Sequence, residues 1–329
     1  MGRVASDKSQ VVTELPLACS DERAAVEFME RQRWDDSPAC PRCGDTDVAQ
    51  VRDAKGERSA RYLWRCHGCK RQFTVRIGTV FEDSRIPLRH WCYAFWAACS
   101  SKKGVSALQV KRHTGLTYKS ALFLLHRVRY AMAPARSPRK LVGTVEVDET
   151  YVGGRPRAPS RSERLARIQA GDMSDHRHGP NLANKSPVVA LVERGGEVRA
   201  GVVADVTAAT LKGAIREHVD RSAAIHTDEA KQYVGLGREF AGGHHAVKHA
   251  VGEYARGDVT TNTVEGFFSL LKRGLYGTYH SVSKRHLHRY VSEFEFRYNT
   301  RKLDDGARTV AAIRGAEGKR LVYAPPVGR

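Results

Sequence analysis

Three carboxylates sit where metal-assisted phosphate chemistry would need them. Asp148 closes the β-like run 144–147 (Thr-Val-Glu-Val), Asp228 closes the run 225–227 (Ile-His-Thr), and Glu265 lies on an amphipathic helical stretch with Lys272 two turns on. Carboxylates held at strand ends and on a nearby helix can grip a pair of hard divalent cations, and such pairs make and break phosphodiester bonds. At about 100° per residue, Asn262, Glu265 and Lys272 share one helix face, and Val264, Phe267, Phe268 and Leu271 occupy the adjoining one. Each acid has rivals: Glu146 and Glu149 beside Asp148, and Glu229 beside Asp228. Strand alternation puts Glu146 on the side of Asp148 and Glu149 on the other.

A second constellation is built from sulfur. Cys40 and Cys43 form one CxxC pair, Cys66 and Cys69 a second, with 22 residues between the pairs. This is the four-cysteine pattern of a zinc ribbon, in which each knuckle aims two thiolates at one ion. Gly44 and Gly68 allow the tight backbone, and Trp34, Trp64 and Phe73 can pack over the site. A closed four-thiolate site leaves no open coordination position, so the expected Zn²⁺ is structural and His67 a spectator. Cys19, Cys92 and Cys99 read as small buried hydrophobes.

Both constellations need scaffolds. Residues 1–19 read as a frayed arm, and 20–33 as a helix with acids in its first turn. Residues 34–75 form a metal-stapled module whose core stretches are too short to fold unaided. Residues 85–134 read as helical: one helix from 87 through Trp96, a short one over 105–112, a turn at 113–116, and a Thr117-capped helix through Ala131. Short helix, glycine turn and basic second helix suit a helix-turn-helix, with Lys111, Arg112, Lys119, Arg127 and Arg129 crowded around it. Residues 135–140 form a basic linker. From 141 the pattern turns to mixed α/β: a strand over 144–152, a hairpin about Gly195-Gly196, a helix over 207–219, a strand over 223–227, an ambiguous stretch over 239–251, and helices over 261–276 and 283–300. That order fits a ribonuclease H-like mixed sheet flanked by helices over 141–302. Residues 155–185, with seven Lys or Arg and three acids, read as a flexible basic insertion, and 303–329 as a tail.

The chain has 329 residues and carries 55 Lys and Arg against 36 Asp and Glu, a formal charge of +19. Such an excess favours a phosphate-rich partner, because each neutralised phosphate releases counterions. No apolar run approaches the ~20 residues of a membrane helix, and the N-terminus lacks a signal-peptide layout. A cytoplasmic, nucleoid-associated protein with no membrane partner is the expectation. The basic stretch at the end of the core (Lys284, Arg285, His286, His288, Arg289, Arg297, Arg301, Lys302) is expected to track a phosphate backbone, while Tyr290, Phe294 and Tyr298, at i, i+4 and i+8, read as core.

Five stretches carry a family resemblance over roughly residues 20–302: CPRCG at 40–44, WRCHGCKRQFTVRIGTVFEDSRIPL at 64–88, VEVDETYVGG at 145–154, HTDEAKQY at 226–233, and above all NTVEGFFSLLKRGLYGTYHSVSKRHLHRYVSEFEFRYNTR at 262–301. They resemble bacterial insertion-sequence transposases with an N-terminal zinc ribbon and a DDE-type integrase core. The resemblance implies DNA cutting and joining, a ribonuclease H-like fold, and Mg²⁺ or Mn²⁺ at Asp148 and Asp228. Related transposases carry Asn, His or Glu as the third residue, followed by Lys. Glu265 is the expected third ligand because a carboxylate grips Mg²⁺ better than an amide, and Asn262 is the alternative. Asp148 is expected to bridge both cations, with Asp228 and Glu265 each completing one. Lys272, Arg273, Lys111, Arg112 and Arg297 are the expected DNA contacts. Double-stranded DNA, as terminal inverted repeats and target, is the expected partner, with a homo-oligomer forming on it. The competing expectations are a catalytically inactive DNA-binding regulator and a nuclease that cleaves without joining.

Overall fold

The computed structural model describes residues 5–35, 37–134, 139–154, 160–170, 184–247 and 256–322. Two compact units divide the chain: residues 1–137 with 292–329, and residues 138–291. The expected linker at 135–140 lies mostly outside the described residues.

The first unit begins with α1 (Ala5–Ser20) and α2 (Glu22–Trp34), the latter capped by Asp21, whose side chain accepts from the Ala24 amide. The frayed arm expected over 1–19 gives way to a helix because Val11, Leu15, Ala18 and Cys19 form an apolar stripe that packs into the unit's core. A three-stranded antiparallel sheet follows, β1 (Val48–Gln50), β2 (Trp64–Cys66) and β3 (Gln72–Phe73). Then come α3 (Leu88–Ser100), α4 (Ala107–Thr114) and α5 (Tyr118–Met132). Ser106 caps α4 and Thr117 caps α5, each through its hydroxyl. The turn between them needs the left-handed backbone that Gly115 adopts at φ 71°. Pro87 offers α3 no side-chain cap, so Glu22 supplies one from α2, accepting from the Leu88 and Arg89 amides at 2.8 and 3.1 Å.

The second unit is a five-stranded mixed sheet in the order β6-β5-β4-β7-β8, with β4 (Thr144–Val152), β5 (Ser186–Glu193), β6 (Val198–Val202), β7 (Ala224–Thr227) and β8 (His244–Ala246). β4 pairs antiparallel with β5 and parallel with β7. This is the ribonuclease H-like arrangement that the element order predicts. Of the basic insertion, 160–170 is described and carries α6 (Arg161–Gln169), closed by a capping box of Ser160 and Glu163; the rest lies outside the described residues. One face of the sheet presents Val145, Val147, Val189 and Leu191 to Leu211 and Ile215 of α7 (Ala208–His218). The other face lies against α8 (Asn262–Gly274), which buries Val264, Phe267, Phe268 and Leu271. A π-helical turn over Leu275–Tyr279 continues α8.

The boundary between the units falls within α9 (Leu287–Asn299). The expected tail at 303–329 contains α10 (Asp305–Arg314), capped by Asp304. Ala312, Ile313 and Ala316 at its end join the core of α1, α2, α3 and α5. Within that unit Glu293 is 2% exposed and holds two buried guanidinium groups: Arg129 Nε donates to it at 2.7 Å and Arg297 Nη2 at 2.7 Å. Glu293→Ala would strand two cations away from water, and should cost about 3–5 kcal/mol. All four tryptophans (Trp34, Trp64, Trp91, Trp96) lie in this unit, so urea unfolding followed by tryptophan fluorescence measures that loss directly.

Candidate active site and zinc centre

The four cysteines form the one group of potential ligands among the described residues whose donor atoms all lie within 4.8 Å of one another. Cys40 Sγ is 3.7 Å from Cys69 Sγ, and Cys43 Sγ is 3.6 Å from Cys66 Sγ. Four sulfurs at ~2.3 Å from a tetrahedral Zn²⁺ stand about 3.8 Å apart, so the spacing fits that ion. Burial raises the Cys40 thiol, but hydrogen bonds from the Arg42 and Cys43 backbone outweigh it and bring it down to about 7. Cys66 goes the other way, to about 12: the Cys69 amide lowers it, but burial and the neighbouring Cys43 and Cys69 sulfurs prevail. A Cβ at Gly68 would lie 2.1 Å from Asp45 Oδ2, so a larger residue there would have to push the Asp45 side chain aside. Trp34 meets Trp64 and Phe73 edge-on, both at 5.9 Å, and Trp64 Nε1 donates to Glu30 at 2.7 Å. His67 stays outside the cluster and pairs with Asp47 at 2.8 Å. Burial raises Cys19 to about 11 and Cys99 to about 12, which leaves both as inert thiols.

The acidic site is fixed by strand register. Thr144, Val145 and Glu146 of β4 lie beside Ala224, Ile225 and His226 of β7. The pairing ends there, and Asp148 and Asp228 each follow two residues beyond it, at the open end of the parallel pair. Neighbouring strands run about 4.8 Å apart. Strand alternation turns Asp148 to the sheet face covered by α8, which carries Asn262 and Glu265 on its exposed side, while Asp228 follows the end of β7 and accepts from the Ala230 amide at 3.1 Å. The carboxylates are close enough to act on one another. Asp148 is pushed up to about 7, by burial first and then by the charges of Glu149, Asp228 and Glu265, against a 2.7 Å hydrogen bond from the Glu149 amide. A carboxylate held so close to other acids is the kind of oxygen donor that a hard divalent cation can relieve of repulsion.

The rival acids have other partners. Glu149 faces the α7 side, where Tyr233 Oη donates to it at 2.7 Å. Glu229 is exposed beside Asp228. Glu146 shares the face of Asp148 but is fully buried, accepting from Arg194 Nε at 2.7 Å and from the Thr263 amide at 2.7 Å. The sequence hint for Glu146 is its parity with Asp148; nothing in the sequence marks Arg194, Thr263 or Tyr233 as their partners.

A transposase zinc-ribbon model matches residues 20–72, and an ISXO2-like transposase domain model matches residues 140–299. The chain is also 32% identical over 283 residues to an uncharacterised protein in the transposable element ISH50 of Halobacterium salinarum, covering 84% of this chain and 90% of that protein. The chain belongs to the ISXO2-like transposase family. The zinc-ribbon match and the thiol geometry together assign the four-cysteine cluster to Zn²⁺. Transposase and zinc-ribbon domains both point to DNA as partner. Among the described residues no helix is long and apolar enough to cross a membrane.

The basic residues of this transposase divide sharply. Lys111, Arg112 and Lys119 are exposed on α4 and the first turn of α5, near exposed Leu108 and Tyr118. On α8, Arg273 is exposed and Lys272 half-buried. Arg127, Arg129 and Arg297 are internal. Arg127 donates to the carbonyls of Val80 and Glu82, both at 2.9 Å. Arg297, expected on the DNA backbone, is 6% exposed and spent on Glu293 and the carbonyls of Ala98 and Ser101. Its place in α9 explains this, for it sits one turn beyond Glu293, facing the core.

Asp148 also sets a pH response. In the unfolded chain its carboxyl releases its proton near 3.8, whereas the folded site holds it to about 7. Between those values the folded state binds the extra proton, so stability falls as pH rises from about 4 to 7. Without added Mg²⁺, hydrogen-exchange protection of the β4 and β5 amides, corrected for intrinsic rates, should decline from pH 5 to 8. Asp148→Asn should flatten that profile.

Proposed function

We propose that this transposase cuts and joins transposon ends, with Asp148, Asp228 and Glu265 as its catalytic carboxylates. The observation that supports this most is the parallel pairing of β4 with β7, which ends at Glu146 and His226, two residues before Asp148 and Asp228, on a sheet covered by α8. The oxygen donors of these carboxylates suit Mg²⁺ or Mn²⁺, although among the described residues only the four cysteines already stand close enough to share one ion. When bound, a pair of such cations activates water or a DNA 3′-hydroxyl and stabilises the leaving oxygen. Asp148, central to the set, would serve both cations, while Asp228 and Glu265 would each serve one. Asn262, three residues before Glu265 on the same face, is the alternative third residue. Lys272, on that face two turns on, reaches a substrate phosphate as a point charge.

Binding is a separate task. Lys111, Arg112 and Lys119, presented by a helix-turn-helix-like pair, would grip double-stranded DNA at the terminal repeats, with Arg273 adding a contact nearer the acids. Two transposon ends must be held together for joining, so a homo-oligomer on DNA is part of this reading. The test is a Mg²⁺-dependent cleavage and strand-transfer assay on the inverted repeats that flank the gene. Cleavage with joining is the expected result. Binding without cleavage in Mg²⁺ or Mn²⁺ would make the protein a DNA-binding regulator, and cleavage without joining a nuclease.

A further inference from the structure

Helix α8 starts without a cap of its own. Thr261 precedes it but makes no side-chain cap bond to its amides. The missing acceptor comes from the sheet. Glu146, on β4 and 0% exposed, accepts through Oε2 from the Thr263 amide at 2.7 Å and the Val264 amide at 3.1 Å. Its Oε1 accepts from the Thr263 hydroxyl at 2.9 Å and from Arg194 Nε at 2.7 Å. Arg194 Nη2 in turn donates to the Thr260 hydroxyl at 2.8 Å, so the segment leading into α8 is gripped from the same side. A buried carboxylate at a helix N-terminus meets both unsatisfied amides and the positive end of the helix dipole.

The clamp lies among the acids on both sides. Glu146 is two residues before Asp148 on the same face of β4, while Thr263 and Val264 lie between Asn262 and Glu265. The path from Asp148 to Glu265 thus runs two residues along β4, through one carboxylate, and one or two residues along α8. Both oxygens of Glu146 are already committed, which excludes it as a ligand.

We infer that Glu146, oriented by Arg194, is a positioning residue that fixes the α8 carboxylate relative to Asp148 and so sets the affinity for divalent cations. This rests on the reading of Asp148, Asp228 and Glu265 as a metal site. Groups that orient ligands from behind change metal affinity by about 10–100-fold when removed.

The test is Mn²⁺ binding to the full-length, zinc-loaded protein, by electron paramagnetic resonance titration, beside strand cleavage. In Glu146→Gln the amide NH₂ cannot accept from the helix or from Arg194. Its Mn²⁺ affinity should fall about 10–100-fold, and excess Mn²⁺ should restore cleavage, which a merely misfolded protein would not show. Thr263→Val removes one hydroxyl bond and should weaken binding by a few-fold, whereas Thr263→Ser should bind as the wild type does. Asp148→Asn is the control for the metal site itself. If Asp148→Asn abolishes binding while Glu146→Gln binds Mn²⁺ as the wild type does, the clamp is wrong. If Glu146→Gln does not fold, unchanged affinity in Thr263→Val overturns it equally. If Asp148→Asn leaves binding intact, the metal-site reading is what has failed.

Discussion

Asp148→Asn should lower metal-dependent strand cleavage by at least about three orders of magnitude while leaving DNA binding intact. Asparagine keeps the shape of the side chain and can still accept the Glu149 amide hydrogen bond that Asp148 Oδ1 accepts at 2.7 Å. Strand β4 and its pairing with β5 therefore stay in place, and what is lost is the charge. Because burial, and then the charges of Glu149, Asp228 and Glu265, raise the Asp148 carboxyl to about 7, the variant should also be more stable than the wild type at pH 8 without metal. Gains in stability with loss of chemistry mark a charge that the fold holds at a cost. Glu149→Gln is the matched comparison. Its side chain faces Tyr233, and its effect on cleavage should be far smaller. Glu265→Gln and Asn262→Ala, run in parallel, decide which of the two completes the set. Full cleavage by a folded Asp148→Asn protein that still binds DNA would sink the three-carboxylate reading.

Removing zinc should have the second large effect. The ribbon's own core consists of Cys40, Cys66 and Phe73, with Trp34, Val48, Trp64, Cys69 and Ile77 packed against it. Strands of two or three residues cannot hold such a core unaided. Zinc binding supplies on the order of 10 kcal/mol or more, and in so small a module that is the folding free energy. Cys43→Ala, or a strong chelator, should release one zinc per chain, unfold β1–β3 and shift the fluorescence of Trp34 and Trp64. Release measured with a colorimetric chelator gives the stoichiometry. Cys92→Ala or Cys99→Ala should release no zinc and cost only the ordinary large-to-small penalty of a core site. A protein that carries no zinc as purified, or whose ribbon survives Cys43→Ala, would overturn the assignment.

Local signals predicted much of the second unit. Valine-rich β4, the hairpin at Gly195-Gly196 and the Thr207 cap of α7 all stand where alternation and capping rules put them. The offset between Asp148 and Asp228 is also a sequence quantity, but only the parallel pairing of β4 with β7 gives it meaning. What escaped prediction depends on partners far along the chain. Pairing of Glu293 with a nearby Arg is legible in the sequence and Arg297, one turn on, supplies it, but Arg129, 164 residues from Glu293, counts there only as positive charge and is in fact part of the same buried network. Glu146 and the amide it caps are 117 residues apart. The arm and the tail at the two ends look dispensable until α1 and α10 are seen in one core. A charge census reads surface and interior alike, so it overstated the basic face of the helical region.

The division of the chain also dictates an order of events on the ribosome. Residues 138–291 form one unit on their own, while residues 1–137 must wait for 292–329. Until the last of these emerge, Arg129 lacks the carboxylate of Glu293, and α1, α2, α3 and α5 lack Ala312, Ile313 and Ala316. The nascent N-terminal segment therefore leaves the exit tunnel as a zinc ribbon attached to an open helical core, and closes only once α10 has followed. A product cut short after residue 291 keeps every acidic site residue yet leaves that core without Ala312, Ile313 and Ala316.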